Sequence, residues 1–387
     1  MELSPIRLLR DDVAVWLIYA GYNRRFLSDF ADNNRVFLNI PGFNATPAAL
    51  EDEVLMRRHL AMSDAVNEVI RGHTNTAPSR NPLDYSPTPY TANTPDSRQF
   101  SAEIGNIIRL YKKAKIGDII MSPGHGQFDP FLIGEITNNW SKADDLVVAQ
   151  LENEIVPARR VRWINAVATR RDFAPRTAKR LVNRHAITLI DRRFYQDIFD
   201  NIYPSYSWGE RSKLDLFGNG YAGKDPLQPY DAAKLLKYVM SAVFAYEDNN
   251  FAAFQALDID AAITQFYDES RVAELAQNFN SPGKFTIIAK SGIAAILMAG
   301  GIMMATADPN VGFPQQRAQV SAQIGGALQG AGQVEAKTEL DNFINSFDST
   351  TWSPVQSSLG KSAKNTLDLT LDNSVEVARH KDELNAK

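Results

Sequence analysis

Three strand-like runs follow one another between Gly117 and Val167, and this succession limits the chain more than any other feature. "GDIIMSP" and "FLIGEIT" are short apolar runs joined by the turn sequence "GHGQFDP", and "RRVRWINAV" alternates in character. In the third run Val161 and Trp163 fall on one side, and Arg160, Arg162 and Ile164 on the other. Successive strands with short connections predict a curled antiparallel sheet or a small barrel.

The preceding residues extend that pattern. "VAVWLIYAG", Val13 to Gly21, is rich in β-branched and aromatic residues and reads as a buried strand. Phe26, Leu27 and Phe30 have helical spacing, and "RVFLNIPGF" reads as a second strand stopped by Pro41-Gly42. Residues 48–72 suit a helix. A stretch rich in Pro, Ser, Thr and Asn then predicts a long surface loop, and Ser101 is the expected cap of a helix carrying Ile104, Ile107, Ile108 and Tyr111 on its apolar face.

The order of Trp16 to Gly21, "RVFLNI", "GDIIMSP", "LIGEIT" and "RRVRW" resembles the PUA-like fold group, including the EVE-like domains found beside restriction and phage-defence effectors. The resemblance covers roughly the first half of the chain. It implies an α+β protein with a small N-terminal PUA-like β-barrel and flanking helices, which binds nucleic acid and in several members takes a modified or flipped base into an aromatic pocket. Trp16, Trp140 and Trp163 are the candidate stacking residues under that implication. Core packing is the alternative for each.

Charge supports a regional contact with DNA or RNA. The chain as a whole is acidic, with a formal charge of −4. Yet residues 159–193 carry Arg or Lys at 159, 160, 162, 170, 171, 176, 179, 180, 184, 192 and 193, with few acids among them. Guanidinium groups fork onto phosphate oxygens, so Arg159, Arg160, Arg162, Arg170 and Arg171 are the candidate nucleic-acid-binding residues. His125 joins them because Gly124 and Gly126 let the backbone approach a ligand. Solvated, acid-paired faces are the alternative reading of the run.

No catalytic residue, metal ligand or cofactor is expected. The chain has no cysteine, and its five histidines (His59, His73, His125, His185 and His380) lack zinc-site spacing. No H-E-x-x-H, P-loop or G-x-S-x-G occurs. An unrecognised hydrolase would have to depend on a divalent metal.

Beyond residue 195 a mostly helical region is expected, in three parts. Residues 196–283 form a mixed or helical domain, with Leu235, Leu236, Val239, Val243 and Phe244 on one helix face. Residues 284–308 are apolar. From Ser291 to Ala307 there is no charge, and residues 285–307 border on the length of a membrane span, the alternative being a buried core or oligomer-interface helix. Residues 309–387 form a helical tail suited to homo-oligomer or partner-protein contacts.

The N-terminus lacks the order of a secretory signal, which suggests a cytoplasmic protein or one at the inner membrane facing the cytoplasm. Two functions fit. The first is a nucleic-acid sensor of a prokaryotic defence-type system, coupled to a C-terminal assembly or membrane effector. The second is a scaffold that oligomerises through its C-terminal helices.

Overall fold

Val15–Ile18, buried at all four positions, is the apolar run expected of an inner strand, and it takes neighbours on both sides. It pairs parallel with Ile119–Ser122 and antiparallel with Ile187–Leu189. The computed structural model describes residues 4–44, 46–87, 95–164, 167–182, 185–218, 227–278, 283–367 and 369–370. Arg184, His380 and the end of the tail therefore lie outside the described residues.

The chain folds as two units, Asp12–Ile202 and Met1–Asp11 together with Tyr203–Lys387. In the first, a curved six-stranded sheet runs in the order Arg35–Phe37, Ala158–Trp163, Leu132–Ile136, Ile119–Ser122, Val15–Ile18 and Ile187–Leu189. The three successive strands of the sequence are adjacent and antiparallel, with Gly134 opposite both Ile120 and Trp163. A small ribbon, Leu146–Val148 with Glu154–Val156, fills the connection between the last two. The sequence presented that connection only as a polar segment.

Helices cover this sheet. Asp52 caps Glu53–Ile70, accepting from the backbone N–H of Val54 and Leu55 at 2.9 and 3.1 Å. The next helix begins at Pro95, well before Ser101, so Ser101 is an interior residue and no cap. Proline at a first helical position lacks only an N–H that would go unpaired there. This helix, Pro95–Ile107, continues as a wider π turn, Ile108–Lys113.

The second unit is also mixed: helices supply most of its regular structure, and they pack with a sheet that the expectation of a mostly helical C-terminal region did not include. Its sheet runs Val272–Asn278, Gly283–Ala289, Arg211–Gly218, Ser205–Trp208, Ile6–Leu8 and Leu328–Gly330, with Leu369–Thr370 also on Arg211–Gly218. The segments expected as 196–283, 284–308 and 309–387 all contribute to this one unit. Ile6–Leu8, expected in the N-terminal barrel domain, lies parallel between Ser205–Trp208 and Leu328–Gly330.

The apolar segment divides between two elements. Residues 285–289 belong to the strand Gly283–Ala289, and the helix is Ala294–Thr306, 13 residues. At 1.5 Å per residue that is about 20 Å, short of the roughly 30 Å hydrocarbon layer. Among the described residues no helix is long and apolar enough to cross a membrane. The helix is apolar all round because it is enclosed by its own unit. A Cβ on Gly300 would lie 2.6 Å from Leu340 Cδ1, and one on Gly301 2.6 Å from Val239 Cγ1. The two glycines let helices Gln333–Asn345 and Leu227–Glu247 approach closely.

Two outcomes follow for stability. Gly301→Ala should cost about 1–3 kcal/mol through overpacking, whereas Gly326→Ala, in a helix with open space around it, should gain up to about 1 kcal/mol. Opposite shifts in thermal midpoint are the expected result. The second concerns Asp64, whose carboxyl is pushed from 3.8 to about 7, first by burial and then by Glu103. Its charge penalises the native state fully above pH 7, and the penalty fades as pH falls toward that of an ordinary Asp. Asp64→Asn should therefore stabilise the protein at pH 8, on the order of 2 kcal/mol, and make little difference near pH 4, as read by urea unfolding at both pH values.

Candidate nucleic-acid interface

Strand Ala158–Trp163 sorts its arginines by parity. Arg159 is 1% exposed, on the inward side with Val161, while the Arg160 and Arg162 side chains are 52% and 57% exposed. Arg159 Nη1 donates to the carbonyls of Leu110 and Ala114 at 2.9 and 3.2 Å, and Nη2 donates to that of Asn138 at 2.6 Å. Leu110 and Ala114 close the π turn, where carbonyls lack helical partners and the helix end is negative. Burial pulls the guanidinium down to about 10, so it remains charged at neutral pH. Arg159 is thus an internal cap and not the phosphate contact expected of it. The sequence held the signal: residue 159 shares parity with Val161 and Trp163.

Arg160 and Arg162 face outward, but each neutralises a buried acid. Arg160 Nε lies 2.5 Å from Asp144 Oδ1, and Asp144 is 1% exposed. Burial pushes the Asp144 carboxyl up, but donors from Ser141, Asn138 and Arg160 outweigh it and hold it below its usual value. Arg162 Nη2 lies 2.8 Å from Oε2 of the buried Glu135. Charges committed in this way cannot be withdrawn for a phosphate without stranding a buried carboxylate.

The tryptophans do not form an open cage. Trp16 is buried and donates through Nε1 to Asp118 Oδ2 at 2.9 Å. Trp140 is buried against Tyr111, ring centroids 5.2 Å apart, and its Nε1 donates to Asp145 Oδ1 at 3.3 Å. A base reaches neither ring without opening the core. Trp163 is half-buried and donates to the Phe30 carbonyl at 3.2 Å. It lies over Gly134, where an added Cβ would come 2.6 Å from Trp163 Cε3.

Two other places present cations outward. The His125 turn is tied to the residues before Arg170 by the Phe131 N–H, which donates to the Ala168 carbonyl at 2.8 Å. His125 is exposed there, Arg170 is half-buried, and the exposed Arg171 guanidinium stands 3.7 Å over the ring of exposed Phe128. The second place is a cavity of about 440 Å³ lined by Lys179, Arg180, Leu189, Asp191, Arg193 and Phe194 among others. Among the described residues neither Lys179 nor Arg180 has an acidic partner, and Arg193 pairs with Asp191 at 3.2 Å. Strand Ile187–Leu189, which forms part of the wall, is the sheet edge four positions from Ala158–Trp163. At about 4.8 Å per strand that is roughly 19 Å across the sheet.

The continuous basic run of the sequence is therefore divided in space. Arg159 is internal, Arg160 and Arg162 serve buried acids, and the uncommitted cations lie farther along the chain. Sequence reading missed Phe128 and the cavity because both depend on contacts between distant segments. Comparisons with family models, curated proteins and solved structures yield no match to this chain.

Arg162→Ala should destabilise the protein by about 1–3 kcal/mol, and adding Glu135→Gln should restore most of the loss, because the neutral amide no longer needs a counter-charge. A double-mutant cycle in urea measures the coupling. Independent, additive losses would mean that the pair carries no net stabilisation.

Proposed function

We propose that the unit Asp12–Ile202 binds DNA or RNA on a PUA-like scaffold, and that the protein is a sensor of a defence-type system whose second unit supplies the response. The observation that carries the binding step is the pair of exposed cations, Lys179 and Arg180, that have no acidic partner among the described residues, in a chain with a formal charge of −4. Arg171 over Phe128 adds a cation–aromatic platform of the kind on which bases stack. The curved sheet flanked by helices agrees with the resemblance that suggested this function.

In this reading Arg171, Lys179 and Arg180 make the phosphate contacts, with His125 at the margin. Arg159 acts indirectly by holding strand Ala158–Trp163 in register. A membrane-spanning output is not included, because residues 285–307 form a strand and a short enclosed helix.

The test uses the full chain, since Ile6–Leu8 belongs to the sheet of the second unit. Labelled single-stranded and duplex DNA and RNA are titrated over a salt series, beside Lys179→Glu/Arg180→Glu and Arg171→Glu. Three or four phosphate contacts predict roughly a hundredfold loss of affinity between about 50 and about 200 mM salt. The charge reversals should weaken binding tenfold or more and flatten the salt slope. A folded protein that binds none of the probes at low salt sinks the proposal and favours the scaffold reading.

A further inference from the structure

We infer that the cavity bounded by helix Pro175–Arg180, strand Ile187–Leu189 and the turn Arg192–Phe194 is a pocket for a phosphomonoester, either a nucleotide or the phosphorylated end of a nucleic-acid strand. The inference deepens the proposed function and depends on it only for the strand-end source. Its volume of about 440 Å³ lies in the range of small-ligand sites. A nucleotide or a frayed strand end fits such a space, and the interior of a duplex does not.

The charge of the lining selects the ligand further. Among the described residues the lining holds Lys179, Arg180 and Arg193 with one carboxylate, Asp191, which leaves two positive charges in excess. A phosphomonoester carries about −1.5 to −2 at pH 7, whereas a diester within a chain carries a single charge. The dianion therefore matches the pocket, and the diester leaves it under-neutralised. Asp191 is engaged twice by its own turn: it accepts from the Arg193 backbone N–H at 3.1 Å and pairs with the Arg193 guanidinium. That holds Arg193 at the cavity wall and keeps the carboxylate occupied.

The remaining wall suits the rest of a nucleotide. Phe194 is half-buried, and Val182 and Leu189 are 45% and 50% exposed, so an apolar surface adjoins the cations. Covering it with a base removes apolar area from water while the phosphate meets Lys179 and Arg180.

The experiment measures binding of the full chain to adenosine 5′-monophosphate, adenosine and inorganic phosphate, and to one single-stranded sequence with 5′-phosphate, 3′-phosphate or hydroxyl ends. Lys179→Gln/Arg180→Gln is the variant, both side chains being exposed and, among the described residues, without acidic partners to strand. Circular dichroism confirms its fold. The expected result is at least tenfold preference for a terminal phosphate, or for the monophosphate over adenosine, abolished in the variant.

Monophosphate binding without oligonucleotide binding supports the pocket and overturns the sensor. Equal binding of phosphate- and hydroxyl-ended strands, with no affinity for the monophosphate, overturns the pocket and leaves nucleic-acid binding standing. Failure of every probe overturns both.

Discussion

The buried guanidinium of Arg159 is the constraint on which the N-terminal unit rests. It joins a strand, the end of a helix and the connection after Leu132–Ile136 through three carbonyls, those of Ala114, Leu110 and Asn138. A charged group in that position is tolerated because the carbonyls replace the water it has lost. Its inward orientation fixes the parity of the whole strand. Arg160 and Arg162 must then point outward, where they meet the two carboxylates, Asp144 and Glu135, that the sheet has buried. One internal hydrogen-bonding requirement thereby decides which of three neighbouring arginines are available to a ligand.

The second unit depends on a different constraint, the long-range closure of its sheet. Ile6–Leu8 pairs with strands near residues 206 and 329, so the earliest strand waits for partners about 200 and 320 residues later. Such non-local pairings cost loop entropy before they yield contacts, which makes them slow to form. The enclosed helix Ala294–Thr306 lies in the core of the unit, with helices Leu227–Glu247 and Gln333–Asn345 packed against it. Its uniform apolarity reflects burial on every side by protein. Lipid would ask for the same composition but a greater length.

Much of the first unit's architecture was legible because its strands carry local signals. The runs at Ile119–Ser122, Leu132–Ile136 and Ala158–Trp163 have strand composition, turn residues between them and few competing patterns. The strands of the second unit hide theirs. Lys213 and Asp215 alternate along Arg211–Gly218 and read as a polar face, yet both are buried. Asp215 meets Lys213 and Lys284, each at 3.1 Å, and accepts from Thr286 Oγ1 at 2.7 Å. A polar cluster ion-paired across strands defeats any reading by hydrophobic alternation. Pro95 was obscured in the same way: its loop-like neighbours concealed a residue well suited to a helix start.

The candidate site was less legible because net charge is local in a way that sequence order is not. Along the chain, Arg160 and Lys179 look equivalent. In space, the first compensates a buried acid, while the second lines a cavity and has no acidic partner of its own among the described residues. Phe128 and Arg171 are far apart in sequence and meet where the Phe131 N–H joins one turn to the residues before the other. Pairing, more than the number of basic residues, therefore determines where an anion would meet an uncompensated cation. A cation already holding a buried carboxylate gains little by exchanging it for phosphate and leaves an unpaired charge behind. A cation on a cavity wall gains the full interaction, strengthened by the apolar surface beside it, and positive potential is concentrated where the fold has not already spent it.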